Sequence, residues 1–413
     1  MRIVYIHQHF VTSQGTSGTR SYDVSRHLLQ MGHRVTVICG LHEQSGLPPM
    51  SPWKLLQTFD IGGVKVVVCK AYYSNKQNVP ARLWSFLKFA FLATLACVRE
   101  RSVDLIFATS TPLTVGIPAR CGAAVKRIPY VFEVRDLWPE DLLAAGRMKP
   151  GLQAKVWEWL ESFSYKKARK ILVVSEGFHK RLLERGLPPE KLQTILLGAD
   201  ARYYADARPD TKFLERHGLA GKTIAVYAGA HGDANGLIQV IDAAEHLRDR
   251  PDIAIALIGD GKVKPQLKEA IAERKLENVH MLDPVPKHEL PGVLIGCHIG
   301  LMILKQIVRP RWVTPNKIFD YMFAGLATIV NFAGTTAELV EAEGVGVASE
   351  PGSAEDLAAK IRYFADHPQE REAIARHARR IASAKYDRKV IAGQLAEVFR
   401  ECRRSRFISR RRA

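Results

Sequence analysis

The stretch TPNKIFDYMFAG, residues 314 to 325, is apolar except for Lys317 and Asp320. A spacing of three puts both side chains on one face of a helix that Pro315 and Asn316 start and Gly325 stops. A cation at a helix start binds an anion in concert with the helix dipole, and a carboxylate one turn later accepts hydrogen bonds from hydroxyls. The preceding RPRWV adds Arg309 and Arg311 at the same end. A weak intrahelical ion pair is the plain alternative for Lys317 and Asp320.

Further loops carry related chemistry. QGTSGTR (14–20) is glycine-rich and runs into a helix, so Gly15, Thr16, Gly18 and Thr19 can present backbone amides to an anionic group. Its spacing departs from G-x-G-x-x-G, which removes a dinucleotide fingerprint and leaves a plain tight turn as the competing reading. FEVRDLWPED (132–141) sets Arg135 and Asp136 beside Trp138 at the end of an apolar run, suited to substrate hydroxyls or phosphates, with the indole as a face for a sugar ring. A cluster of helix-start carboxylates is the alternative there. VYAGAHGDANG (226–236) brings Gly229 and His231 toward a phosphate, and LIGDG repeats the pattern with Gly259, Asp260 and Gly261. No D-x-D is present to hold a nucleotide-bound metal, and no G-x-S-x-G elbow. No metal and no cofactor is therefore expected; Lys, Arg and helix N-termini would neutralise a leaving diphosphate.

These loops need strands to hold them. Short β-branched runs alternate with helical patterns at 2–8, 34–40, 64–70, 103–110, 129–136 and 170–175, and again at 223–229, 253–261, 279–285, 299–304, 326–332 and 345–350. That alternation marks parallel sheets built from β-α-β units, with ligands at the carboxyl ends of the strands. The polar segment 198–210 divides the series. The expected organisation is an α/β chain of two doubly wound Rossmann-like domains, 1–200 and 201–375, facing a central cleft, followed by a helix and basic tail over 376–413.

Lys+Arg 60 against Asp+Glu 42 gives +18 in 413 residues, an excess that calls for an anionic partner. Seven of the arginines lie in the final stretch from 397. They form a tail rather than interleaving with aromatics, so nucleic acid is not the expected partner; a solvated segment or an anionic membrane surface is. Six scattered cysteines without metal-ligand spacing fit a reduced, cytoplasmic compartment. The segment RLWSFLKFAFLATLACVRE (82–100) is strongly apolar, but its charge-free run of ten residues rises only about 15 Å, too short to span a bilayer. It reads as a buried helix or as one lying in a membrane interface, with Trp84, Phe86, Lys88 and Phe89 in contact and basic residues at the rims.

Taken in order, the glycine-rich loop, GHRVTVI, SEGFHKRL, LGAD, YAG, IGDG and PNKIFDYMFAG resemble the family 4 retaining glycosyltransferases of the GT-B fold across nearly the whole chain. RDLWPE and PNKIFDY are most similar to the branch acting in bacterial surface-polysaccharide assembly, of the fucosamine-transferase and colanic-acid type. The resemblance implies a nucleotide sugar, usually a UDP-sugar, on the second domain, a lipid-linked or glycan acceptor on the first, retention of configuration and no metal. It places Asp320 on the second glutamate of the family's E-x7-E motif, the ribose ligand, with Trp312 where the first glutamate would be. Ala230 and Asn235 stand where the family's diphosphate clamp has Arg and Lys, which moves the expected clamp to Lys317 with Arg309 and Arg311. Arg135 and Asp136 fall at the catalytic loop, and the expected setting is the inner face of the cytoplasmic membrane. Two other readings compete: a UDP-sugar epimerase of the same architecture, and a basic nucleic-acid-binding protein.

Overall fold

The computed structural model describes residues 1–411 apart from Ser17, 75–76, Ala145, Arg147 and 306–311, with side chains described up to 404. The chain divides into two units: Met1–Leu197 together with the residues from Arg388 on, and Gly198–Asp387. Arg309 and Arg311 lie outside the described residues.

In the first unit the strands are β1 (Arg2–Ile6), β2 (Arg34–His42), β3 (Leu56–Ile61), β4 (Val64–Tyr73), β5 (Leu105–Thr109), β6 (Tyr130–Val134), β7 (Lys170–Val173) and β8 (Leu192–Thr194). They form one sheet in the order β3-β4-β2-β1-β5-β6-β7-β8, with only β3 antiparallel to its neighbour. Strands β3 and β8 are absent from the sequence reading. The first had a signal: Gly62-Gly63 sits between the paired strands, and both glycines have positive φ, 60° and 84°, as a tight two-residue hairpin demands.

Alternate residues of a strand face opposite sides. Ile3, Tyr5, Val37 and Phe107 pack against helix Arg20–Gln30 and the last helix, Arg388–Arg411, through Val24, Leu28, Ile391, Leu395 and Phe399. The helices Val79–Arg99, Gly116–Lys126 and Leu152–Lys166 cover the other side, the middle one touching both of its neighbours. Glycine makes that layer close: a Cβ on Gly122 would fall 2.5 Å from Cys97 Sγ, and one on Gly116 would fall 1.9 Å from Ser164 Oγ. The segment grouped above as 376–413 is thus split. Its start belongs to helix Pro368–Ile381 of the second unit, and its final helix returns to the first because that helix carries an apolar face of its own.

Helix Val79–Arg99 is long and apolar enough to cross a membrane by length and composition. Phe89, Ala93 and Cys97 are fully buried along it, so it is a wall of this unit. This corrects one of the expected membrane contacts. Phe89 points into the core, and the Phe86 ring stacks on Tyr73 at 5.7 Å. Trp84 is 68% exposed, and Lys88 is half-buried.

In the second unit β9 (Thr223–Ala228), β10 (Ile253–Ile258), β11 (Val279–Leu282), β12 (Ile299–Met302), β13 (Ala327–Val330) and β14 (Gly346–Ala348) run parallel in the order β11-β10-β9-β12-β13-β14. The order reverses between β9 and β12, as it does between β1 and β5 in the first unit. Such switch points leave a crevice at the carboxyl ends where a ligand can enter.

Candidate functional site

At the switch of the second unit, Lys317 opens helix Lys317–Ala324, which Gly325 ends in the left-handed conformation. The ammonium lies 3.5 Å from the centroid of the Tyr227 ring at the end of β9. A Cβ on Gly229 would come 3.0 Å from the same nitrogen, so the glycine leaves it room. Among the described residues no carboxylate or carbonyl pairs with it. Burial pulls its pKa down to about 7, because desolvation disfavours the charged form and no anion opposes it.

His231 stands on the next turn of the β9 loop. It is fully buried, and neither ring nitrogen has a hydrogen-bond partner. Burial first, then the nearby charges of Lys264 and Lys317, lower its pKa to about 4, so the ring is neutral with one donor and one acceptor to offer. The loop is fixed beneath it. Tyr227 Oη donates to Ala230 O at 2.9 Å, Asn235 Nδ2 to the same carbonyl at 2.7 Å, and the His231 amide to Asp260 O at 2.8 Å.

The glycines of IGDG have a packing task. A Cβ on Gly259 would lie 1.9 Å from Gly229 O, and one on Gly261 would lie 2.4 Å from His231 O. These residues therefore let the β10 loop press on the β9 loop and set the position of His231. Asp260 is exposed, and its side chain accepts from the Gly261 amide at 2.8 Å. Lys264, which the sequence reading did not select, is buried and donates to Gly259 O, Leu282 O and Asp283 Oδ1 at 2.8, 3.0 and 2.7 Å. Gly259→Ala is expected to cost about 1–3 kcal/mol in equilibrium unfolding, since the new methyl must push a backbone carbonyl aside.

Asp320 and Lys317 are not partners. Asp320 is 6% exposed, and its Oδ1 accepts from Lys287 Nζ at 2.6 Å and Tyr204 Oη at 2.8 Å. The shared helix face divides because one side chain turns to β9 and the other to a buried lysine distant in sequence. No spacing rule on the helix reveals Lys287, at position 287 in PVPKHEL, as the counter-ion.

In the first unit the glycine-rich loop is mostly occupied. Gly15 packs against the loop after β2, where a Cβ would meet Gln44 O at 2.4 Å, and the Thr16 amide donates to Gln44 O at 3.3 Å. Thr19 is fully buried; its hydroxyl donates to Asp23 Oδ2 at 2.7 Å and accepts from Arg388 Nη1 at 2.9 Å. It thereby anchors the last helix, contrary to the expected anion contact, whereas Thr16 is exposed and Gly18 has open space around it.

Arg135 and Asp136 follow β6, held by a bond from the Arg135 amide to Ser110 Oγ at 3.0 Å and one from Thr111 Oγ1 to the Asp136 carboxylate. Glu133 is buried against Arg20, with two oxygen–nitrogen distances of 2.8 Å, and accepts from Thr109 Oγ1 at 2.6 Å. Trp138 rests on Trp157 with centroids 4.9 Å apart, so its indole is packed rather than offered as a free sugar platform. What the sequence reading missed is a recess of about 220 Å³ lined by His9, His42, Glu43, Gln44, Tyr73, Ser74 and Thr111, at the carboxyl ends of β1, β2, β4 and β5. Burial, His42 and Arg135 hold the His9 pKa down to about 3, which keeps that imidazole neutral. Its signal was the polar pair Gln8-His9 beyond an apolar strand at the switch point; the strand as read above ends at Gln8, and His9 carries no role there.

Comparison with known proteins agrees with this architecture. Residues 15–198 match the model of the glycosyl transferase 4-like domain, and residues 210–381 match that of glycosyl transferases group 1. The chain is 24% identical over 354 residues to a protein of Escherichia coli (strain K12) named as the colanic acid biosynthesis glycosyl transferase WcaI, covering 81% of this chain and 85% of that one. It is 25% identical over 249 residues to the alpha-D-kanosaminyltransferase of Streptomyces kanamyceticus, covering 59% of this chain and 63% of that one. The crystal structure of Anabaena HepE in complex with UDP superposes with a TM-score of 0.69 at 20% identity, covering 97% of this chain and all of that one. Two consecutive glycosyltransferase models thus take in most of the chain on a GT-B architecture, and the protein belongs to the family 4-like glycosyltransferases, with a glycosyl transferase 4-like first domain and a group 1 second domain.

Proposed function

We propose that the protein transfers a sugar from a nucleoside diphosphate sugar, a UDP-sugar in the first instance, to a lipid-linked or glycan acceptor with retention of configuration. The setting we assign is bacterial surface-polysaccharide assembly at the cytoplasmic face of the membrane. The observation that carries the donor half is the Lys317 ammonium, held over Tyr227 without an anionic partner among the described residues and close to the unpartnered imidazole of His231. A diphosphate supplies the charge and the acceptor oxygens that both groups lack. The name of WcaI and the UDP in HepE lend support by analogy.

In this mechanism the diphosphate lies against the start of helix Lys317–Ala324, and Asp320, held in place by Lys287 and Tyr204, receives the ribose hydroxyls. As the bond from the anomeric carbon to the leaving phosphate oxygen breaks, Lys317 offsets the growing negative charge without a metal. The acceptor hydroxyl attacks from the face the phosphate leaves, and the departing phosphate oxygen takes its proton. We place the acceptor in the first unit, at the recess around His9, with Arg135 and Asp136 as the catalytic loop beside it.

The test is incubation of the metal-stripped protein with UDP-sugars and a lipid-linked acceptor, followed by NMR of the product. Transfer with the donor's anomeric configuration kept, undiminished by chelator, is expected. An inverted product, a requirement for added metal, or a new sugar nucleotide formed without acceptor would each overturn it.

A further inference from the structure

Helix Val79–Arg99 buries one side and leaves the other bare. Trp84, Leu87, Phe91, Leu95 and Val98 are 68, 46, 64, 36 and 38% exposed, at successive steps of three or four that place them in one row opposite the buried Phe89 and Ala93. An ordinary outer helix of an α/β layer carries charges there. Helix Leu152–Lys166 repeats the pattern: Leu152, Val156 and Trp159 are 80, 53 and 62% exposed, opposite the buried Trp157 and Leu160.

Both helices lie on the same side of the first sheet, flanking helix Gly116–Lys126, whose own outward Val125 is 63% exposed. The close glycine contacts of that middle helix hold the two rows in one layer. Around them Arg99, Arg127, Lys155, Lys166 and Lys167 are exposed. On the acidic side, Glu161 is buried against Arg185 and Glu100 is paired with Lys65, which leaves Glu158 as the exposed carboxylate of the two helices. Apolar rows with a tryptophan in each and a basic surround complement a bilayer of anionic lipid, in which indoles settle at the headgroup level.

We propose that these two helices together form the docking surface of the protein on an anionic membrane, with helix Leu152–Lys166 an equal contributor to the apolar helix that the sequence singles out. The inference rests on the reading that the acceptor is lipid-linked, and it names the surface that would bring the first unit to it. The last helix is not part of this layer, since it packs on the opposite side of the sheet.

The test is flotation of the full chain with vesicles of phosphatidylcholine alone and of phosphatidylcholine with phosphatidylglycerol, run beside sedimentation without lipid. Wild type is expected to float with the anionic vesicles, less so in high salt. Trp84→Ser with Phe91→Ser, and separately Leu152→Ser with Trp159→Ser, should each lower partitioning by about a hundredfold. Because all four side chains are exposed, the melting temperature and UDP binding should stay as in wild type. A Leu152/Trp159 variant that floats as wild type does would overturn the two-helix surface. So would a wild type that ignores vesicles, whether as a monomer or as a dimer split by these substitutions, in which case a second copy covers the face. Loss of UDP binding in wild type would instead indict the transferase reading, so the two failures are separable.

Discussion

Lys317→Met is expected to weaken UDP binding by about 10- to 150-fold while raising the melting temperature of the ligand-free protein. The first effect is the loss of a charge-assisted hydrogen bond to phosphate, about 1.5–3 kcal/mol. The second follows from linkage. In the fold the Lys317 pKa is about 7, against 10.5 for the free side chain. Below pH 7 both folded and unfolded chains carry the proton, and the fold bears the full penalty of a desolvated ammonium. Between pH 7 and 10.5 the unfolded chain binds more protons, so this part of the stability rises with pH. The thermal gain of the methionine variant should therefore be largest below pH 7 and fade above it. Bound diphosphate restores the charge, so wild-type UDP binding should take up a proton at pH 8, and its affinity should fall by up to about tenfold per pH unit above 7. Titration calorimetry in buffers of different ionisation heat reads both quantities. A wild type with a flat affinity profile from pH 6.5 to 9, or a variant that binds UDP equally well, would remove Lys317 from the site.

Arg388→Met is expected to destabilise the first unit by about 3–5 kcal/mol, the cost of leaving a buried carboxylate without its partner. Arg388 and Asp23 both have fully buried side chains, and Thr19 bridges them. This cluster ties the last helix to helix Arg20–Gln30 after the chain returns from the second unit. Hydrogen exchange should show early opening of residues 388–404 and 20–30, while UDP binding by the second unit changes little. The double change Arg388→Met with Asp23→Asn should recover much of the loss, because it removes the orphaned charge. If the single variant exchanges as slowly as wild type over both helices, the anchoring role is wrong.

Much of the fold is legible in the sequence because it depends on local pattern. Twelve of the fourteen strands announce themselves as β-branched runs between helical stretches, and the polar segment at 198–210 separates two series of them. β8, with three residues, is too short for periodicity to speak, and β3 has only alternate partial burial. The site residues divide in the same way. Gly229, His231 and Lys317 come together because each follows a strand or opens a helix at one switch point, and strand order makes such positions neighbours.

The sequence alone determined the alternation of strands and helices, hence two parallel-sheet domains, and the cation that opens helix Lys317–Ala324. Only the tertiary structure decided which charge meets which. Asp320 went to Lys287 and Thr19 to Arg388, across separations of 33 and 369 residues. Phe89 turned inward while Phe91 stayed bare, on a helix apolar on both sides. Helical and strand periods follow from backbone geometry over a few residues. Partners of buried charges, and the outward side of an all-apolar helix, depend on what the rest of the chain brings against them.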